Sequence, residues 1–150
     1  MFKKALSGEL DAVINYWHFT AKMKSRGMRT VLSVADTSSA LGLDSTTPLL
    51  GYVFNRALPN SASLMPNMVK ASQEAKKILL QQQNAWDRLR PLMKAKTDSD
   101  FEFLVNGFRA GVPTKPVNLA SVQEMLNIMS KSGGDQLVGD LTTLPDDLFY

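Results

Sequence analysis

The sequence predicts an α/β fold in which a few short strands precede a mostly helical C-terminal region, and three observations carry that reading. Apolar runs with strand character stand at 10–14, 29–34 and 49–54. From about Ser61 onward the apolar residues recur at helical rather than alternating spacing. The 150 residues suffice for one compact domain with its own core, because a chain of this size buries roughly 68 to 70% of its unfolded surface.

The elements follow in order. A short opening helix is stopped by Gly8, and the run Leu10, Ala12, Val13, Ile14 follows as the first strand. Asn15 is a plausible N-cap for a second helix. Tyr16, Phe19 and Met23 share one of its faces, its basic last turn from Lys22 to Arg26 complements the helix dipole, and Gly27 is its C′ residue. Residues 29–34 read as a strand and 35–47 as a loop with at most a helical turn. The run 49–54, Leu-Leu-Gly-Tyr-Val-Phe, is the strongest strand, and its Gly51 marks a bulge or a close approach.

A helix capped by Ser61 or Ser63 then carries Leu64, Met68, Ala71, Ala75, Ile78 and Leu79 on one stripe, with Pro66 expected in its first turn. A further helix over 85–94 must tolerate or bend at Pro91. Thr97 to Asp100 opens the next, with Phe101, Leu104, Val105 and Phe108 inward and Gly111 and Pro113 closing it. Asn118 begins the last, with Leu119, Val122, Leu126 and Met129 inward and Gly133-Gly134 at its end. Residues 135–150 read as an irregular tail pinned by Leu144, Leu148, Phe149 and Tyr150. Three short strands make a narrow sheet for this length, so partner strands from a second copy are one way to cover its edges.

Composition excludes more than it assigns. The absence of cysteine removes disulfides, thiolate catalysis, Fe–S clusters and every Cys-containing zinc site. One histidine, His18, leaves a Ser-His-Asp set or a His-based metal site poorly supplied, and no phosphate-cradling glycine loop is present. Gly107 and Gly111 lie within and at the end of a helix, where they read as packing and capping positions. The sequence therefore predicts a non-enzymatic protein with no catalytic residues, no metal ligands and no cofactor. The net charge of +3 and the cluster Lys22, Lys24, Arg26 and Arg29 fall short of a phosphate-backbone stripe, so no nucleic-acid partner is expected. The apolar runs are far below the roughly 20 residues of a membrane span. Met-Phe-Lys-Lys is not followed by the apolar stretch of a secretion signal, which makes the chain cytoplasmic if Met1 is the native start.

The unusual cluster is Asn15-Tyr16-Trp17-His18-Phe19, an amide, aromatics with polar tips and the single histidine in the turn between a strand and a helix. In α/β proteins such turns offer free N–H groups and a positive dipole end, and rings of this kind stack on ligands while keeping a hydrogen bond. The alternative reading makes Tyr16 and Phe19 core, Trp17 partly buried support and His18 an exposed side chain.

The ordered blocks Leu6-Ser7-Gly8-Glu9-Leu10-Asp11-Ala12-Val13, Asn15 to Phe19, Gly27-Met28-Arg29, Leu50 to Phe54, Trp86-Asp87-Arg88-Leu89-Arg90-Pro91-Leu92 and the closing Leu144 with Phe149-Tyr150 resemble the C-terminal half of periplasmic solute-binding proteins. The nearest branch is the nitrate, sulfonate, taurine and thiamine-precursor group of ABC importers. The resemblance implies a partial type II periplasmic-binding-protein-like fold, with 1–47 corresponding to the end of the second lobe and 48–150 to the hinge return and the C-terminal helices of the first. It implies a small polar or anionic ligand held at Asn15, Tyr16, Trp17 and His18, with Tyr52 near the hinge as a further candidate. A membrane permease is implied as partner, and a periplasmic location, only if the chain belongs to a full-length receptor. Two functions follow as expectations: a solute-binding protein or truncated derivative of one, which self-associates to complete sheet and cleft, or an orphan interaction module that self-associates without a ligand.

Overall fold

The computed structural model describes residues 1–47, 49–55, 57–146 and 148–149, and among them it is helical without a strand. In chain order the elements are α1 (Phe2–Leu6), α2 (Trp17–Lys24), α3 (Val34–Ala40), α4 (Ser61–Gln81), α5 (Gln83–Leu89), a 3-10 turn (Arg90–Leu92), α6 (Asp98–Ala110), α7 (Leu119–Gly133) and α8 (Asp135–Val138). The chain forms two compact units: Met1–Val31 with Tyr52–Val112, and Leu32–Gly51 with Pro113–Tyr150.

The expected α/β fold is thereby corrected to an all-helical one. Residues 10–14 and 49–54 are irregular, and side chains expected on a sheet face stand in solvent: Ile14 is 96% and Val53 98% exposed. A strand is stabilised by the neighbour it pairs with, and among the described residues no backbone hydrogen bond joins any two of the three runs. Residues 29–34 fail for a further, local reason. Ser33 caps α3 in a reciprocal box, its Oγ accepting the Asp36 N–H while the Asp36 carboxylate accepts the Ser33 N–H, so Val34 begins a helix. Bonds from the Ser33 hydroxyl and N–H hold the Asp36 carboxyl below its ordinary range.

In the first unit, the local stop signals operate as read. Gly27 at φ +86 lets the Met28 N–H reach Met23 O and the Gly27 N–H reach Lys24 O, satisfying carbonyls at the end of α2, and Gly8 closes α1 in the same way. The N-terminus of α2 is shifted by one residue: Tyr16 occupies the cap position, and the Asn15 side chain accepts the Tyr16 N–H. α4 starts after Asn60 rather than being capped by Ser61 or Ser63, and Pro66 is its sixth residue, in the second turn instead of the first. Pro91 falls in the 3-10 turn that follows α5. The Thr97 hydroxyl caps α6 by accepting the Asp100 N–H, and Phe101, Leu104 and Val105 are buried.

The core of this unit gathers Trp86, Phe101 and Val105, ringed by Leu79, Leu89, Met93, Ala95 and Phe108. The Leu79 carbonyl near the end of α4 receives the indole N–H of Trp86 at 2.6 Å and the Arg109 Nε–H at 3.1 Å, so donors from α5 and α6 tie that end to the core. The 21-residue α4 buries no side chain fully: of its expected inward stripe Leu79 packs on the core and Met68 is half-buried, while Leu64, Ala71, Ala75 and Ile78 are exposed.

α2 packs on α6, and two contacts fix the pair. Gly107 lies under Trp17, where an added Cβ would come within 3.3 Å of the indole. Asp100, 1% exposed, accepts the Ser25 hydroxyl, both terminal nitrogens of Arg26 at 2.8 and 3.1 Å, and the Lys96 N–H at 3.2 Å. Burial pushes the Asp100 carboxyl up, but these donors together hold it below the ordinary carboxylate range.

In the second unit, Asn118 caps α7 by accepting the Ala120 and Ser121 N–H groups. Leu119 is exposed rather than inward, and α7 buries none of its residues. The tail is less irregular than expected, since 135–138 form α8 folded back on α7. Its pin is Leu144, whose N–H is accepted by Gln123, while the Gln123 amide donates to Thr142 O. Leu148 and Phe149 are exposed, and Tyr150 lies outside the described residues.

Candidate functional site

The turn into α2 assembles four of the five candidate residues. Asn15 is half-buried, with its amide oxygen engaged by the Tyr16 N–H at 3.0 Å and its carbonyl by the Thr20 hydroxyl. Tyr16 is 75% exposed, and its ring stacks parallel to that of His18 with centroids 6.1 Å apart. His18 is half-buried rather than exposed: it meets Trp17 edge-on at 5.8 Å and Phe19 at 4.4 Å. The N–H groups of Trp17 and His18, at the positive end of α2, find no acceptor among the described residues.

Trp17 has two roles. One part of the indole rests on Gly107 and touches Phe108 edge-on at 6.3 Å, and Phe108 in turn meets Trp86 at 5.2 Å, so the ring is anchored to the core. The remainder is open, leaving the side chain 49% exposed. The turn is thus a ledge of aromatic rings with a wet outer surface and a buried root. Each ring offers a face to a planar or apolar group, and the free N–H groups offer donors to an anionic or carbonyl oxygen.

Tyr52 is placed differently. Its hydroxyl pairs with the Ser72 hydroxyl at 3.0 Å and the Lys76 ammonium lies 5.4 Å from its ring centroid, which straps residue 52 to α4. No ring or hydrogen-bond contact joins Tyr52 to Asn15, Tyr16, Trp17 or His18 among the described residues. Sequence reasoning missed Ser72 and Lys76. Their spacing of four places them on one side of a helix, a signal that gains meaning only once Tyr52 is known to cross there.

Two shallow cavities occur elsewhere. One of about 110 Å³ lies beside Gln83, Glu102, Asn106 and Arg109, and one of about 250 Å³ beside Leu126, Ser130, Lys131 and Leu141. Neither adjoins a candidate residue. No group of three acidic or histidine side chains is arranged to hold a metal among the described residues. Of the basic cluster, Lys22 donates to Lys94 O and Arg26 is committed to Asp100, leaving Lys24 and Arg29 on the surface. No helix among the described residues is long and apolar enough to cross a membrane. Comparison with known proteins gives no match to a family model or to a curated sequence.

Proposed function

We propose that the chain is a non-enzymatic binding protein, derived from an importer's solute receptor as its sequence blocks imply, that holds a small polar or anionic solute on the aromatic ledge at Asn15, Tyr16, Trp17 and His18. The observation that carries this reading is the half-open Trp17, rooted on Gly107 and Phe108 but presenting its outer surface beside the stacked Tyr16 and His18 rings. A ring held rigidly at low entropic cost is what a solute needs for stacking. The unclaimed N–H groups of Trp17 and His18 suit a sulfonate, nitrate or carboxylate oxygen.

The test is a thermal-shift screen against nitrate, alkyl sulfonates, taurine, pyrimidines and small carboxylates, repeated on Tyr16→Ala. A ligand at about 100 times its dissociation constant adds roughly 2.7 kcal/mol to stability. Tyr16 is the better probe than Trp17, because truncating Trp17 also uncovers Gly107 and unsettles α2 against α6. Loss of the ligand shift in Tyr16→Ala, with the unliganded transition unchanged, is the expected result. A ligand that shifts both proteins equally places its site elsewhere.

A second reading, a self-associating interaction module, is favoured by the apolar side chains left in solvent: Ile14, Val31, Leu32, Leu50, Val53 and Leu64. The two readings part at the screen: the interaction module predicts self-association with no ligand-induced shift.

A further inference from the structure

We propose that the cavity where Gln83 faces α6 is a binding site for a short zwitterion of the ω-amino-acid class, with its ammonium and carboxylate at opposite ends of the chain. The inference goes beyond the ledge at the start of α2 and shares no residue with it. The cavity, of about 110 Å³, is lined by Gln83, Phe101, Glu102, Val105, Asn106 and Arg109. Its floor is apolar and fixed, since Phe101 and Val105 are 6% and 3% exposed and belong to the core of the first unit. Its rim is polar, and one face of α6 supplies most of it: Glu102, Asn106 and Arg109 follow at spacings of four and three.

Arg109 argues for an anionic group in the ligand. Its guanidinium is held at three points: Nε–H donates to Leu79 O at 3.1 Å, Nη2 donates to the Gln83 amide oxygen at 3.3 Å, and Cζ lies 5.9 Å from the Trp86 ring centroid. All three partners are uncharged. Arg26 and Arg90 each meet an aspartate, whereas the half-buried Arg109 meets no carboxylate, and its Nη1 meets no acceptor, among the described residues. A guanidinium oriented by neutral groups, partly removed from water and with donors to spare, is a socket for a carboxylate.

Glu102 supplies the opposite charge. Its carboxylate has no ion pair and no hydrogen bond among the described residues, and it stands two turns from Arg109, about 10.5 Å along the helix axis at 1.5 Å per residue. The Asn106 amide, equally uncommitted, lies between them and offers a donor to a carboxylate and an acceptor to an ammonium. An α-amino acid carries both charges on one carbon and reaches one end of this row. A chain of two or three methylenes sets them apart, so that each meets its counterpart while the methylenes lie over Phe101 and Val105. A molecule with a single charge leaves either Glu102 or Arg109 unanswered. The volume sets the size: at ~30 Å³ for each water-sized group the cavity holds about four, which suits β-alanine and excludes a bulky side chain.

The test is a titration of the isotope-labelled chain with β-alanine, propionate and propylamine, read from amide NMR shifts. β-Alanine is expected to move the amides of Gln83 and of 102–109 saturably, with a Kd in the millimolar range that befits a ligand of about six non-hydrogen atoms. Propionate lacks the ammonium and propylamine the carboxylate, and each is expected to bind at least tenfold more weakly. Glu102→Gln changes an exposed side chain that makes no hydrogen bond or ion pair among the described residues, so the variant is expected to keep the parent's spectrum. Its affinity for β-alanine is expected to fall at least tenfold, to that of propionate. Propionate binding as tightly as β-alanine, or β-alanine binding equally to the parent and Glu102→Gln, overturns the zwitterion. No saturable shift at 102–109, or shifts confined to 15–19, overturns the site, and neither outcome depends on what the ledge at α2 holds.

Discussion

Replacing Asp100 by Asn tests whether the contact of α2 with α6 depends on a buried charge. The carboxylate is 1% exposed and accepts from Ser25, twice from Arg26, and from the Lys96 N–H. An asparagine of the same shape retains one acceptor oxygen and turns an NH₂ group toward donors. Removing one member of a buried ion pair costs about 3 to 5 kcal/mol, mostly through the charge left behind. Here the partner Arg26 side chain is 33% exposed and can rehydrate, so the expected loss is about 2 kcal/mol. In urea that corresponds to a fall of about 1 M in the midpoint of the first unit's transition, followed by circular dichroism.

The pH dependence gives an independent check. Because the folded carboxyl lies below its ordinary value of 3.8, its stabilisation is fully present above the unfolded value and disappears as pH falls through the folded one. The gap between the parent and Asp100→Asn is therefore expected to be constant near neutrality and to close on acidification below pH ~4. A variant with the parent's midpoint, or a gap that persists unchanged into acid, refutes the assignment of a buried, ionised Asp100.

Two further substitutions test backbone and packing in each unit. Gly133→Ala in α7 places a Cβ at 2.7 Å from the Leu137 Cβ, so α8 must move away. The clash outweighs the gain of up to about 1 kcal/mol in helix propensity, and faster amide exchange over 135–138 with unaltered exchange in α6 is the expected observation. Lys94 adopts a left-handed φ of +52 while its carbonyl accepts the Lys22 ammonium, a bond that a glycine preserves. Lys94→Gly is expected to raise stability by about 0.5 to 1 kcal/mol in thermal melts, and a loss of stability contradicts strain at this residue.

What the sequence disclosed of the fold follows a pattern set by distance along the chain. The stops at Gly8 and Gly27 and the caps at Thr97 and Asn118 were legible because each is completed by residues within one or two turns. The Ser33 and Asp36 box was equally local, but the β-branched residues before it invited a strand and concealed the start of α3. Within the candidate site, the proximity of Tyr16 and His18 follows from adjacency at a helix start. The seating of Trp17 on Gly107 and the strap from Tyr52 to Ser72 were not legible, because both join residues far apart in sequence.

By itself, then, the sequence determined the helix ends at Gly8, Gly27 and Asn118, the presence of helices in the C-terminal region and the cluster of aromatic residues at Asn15 to Phe19, since backbone capping and helical periodicity are local properties. Tertiary structure alone decided whether the apolar runs at 10–14 and 49–54 became strands, because a strand's hydrogen bonds and side-chain contacts come from a neighbour that its own sequence does not specify, whereas at 29–34 the local Ser33–Asp36 box also intervened. It also decided that Asp100, one of two acids at the start of α6, became the buried anchor of α2 while Asp98 remained exposed: only Asp100 points toward Ser25 and Arg26, and only the packing of the two helices brings those donors to it.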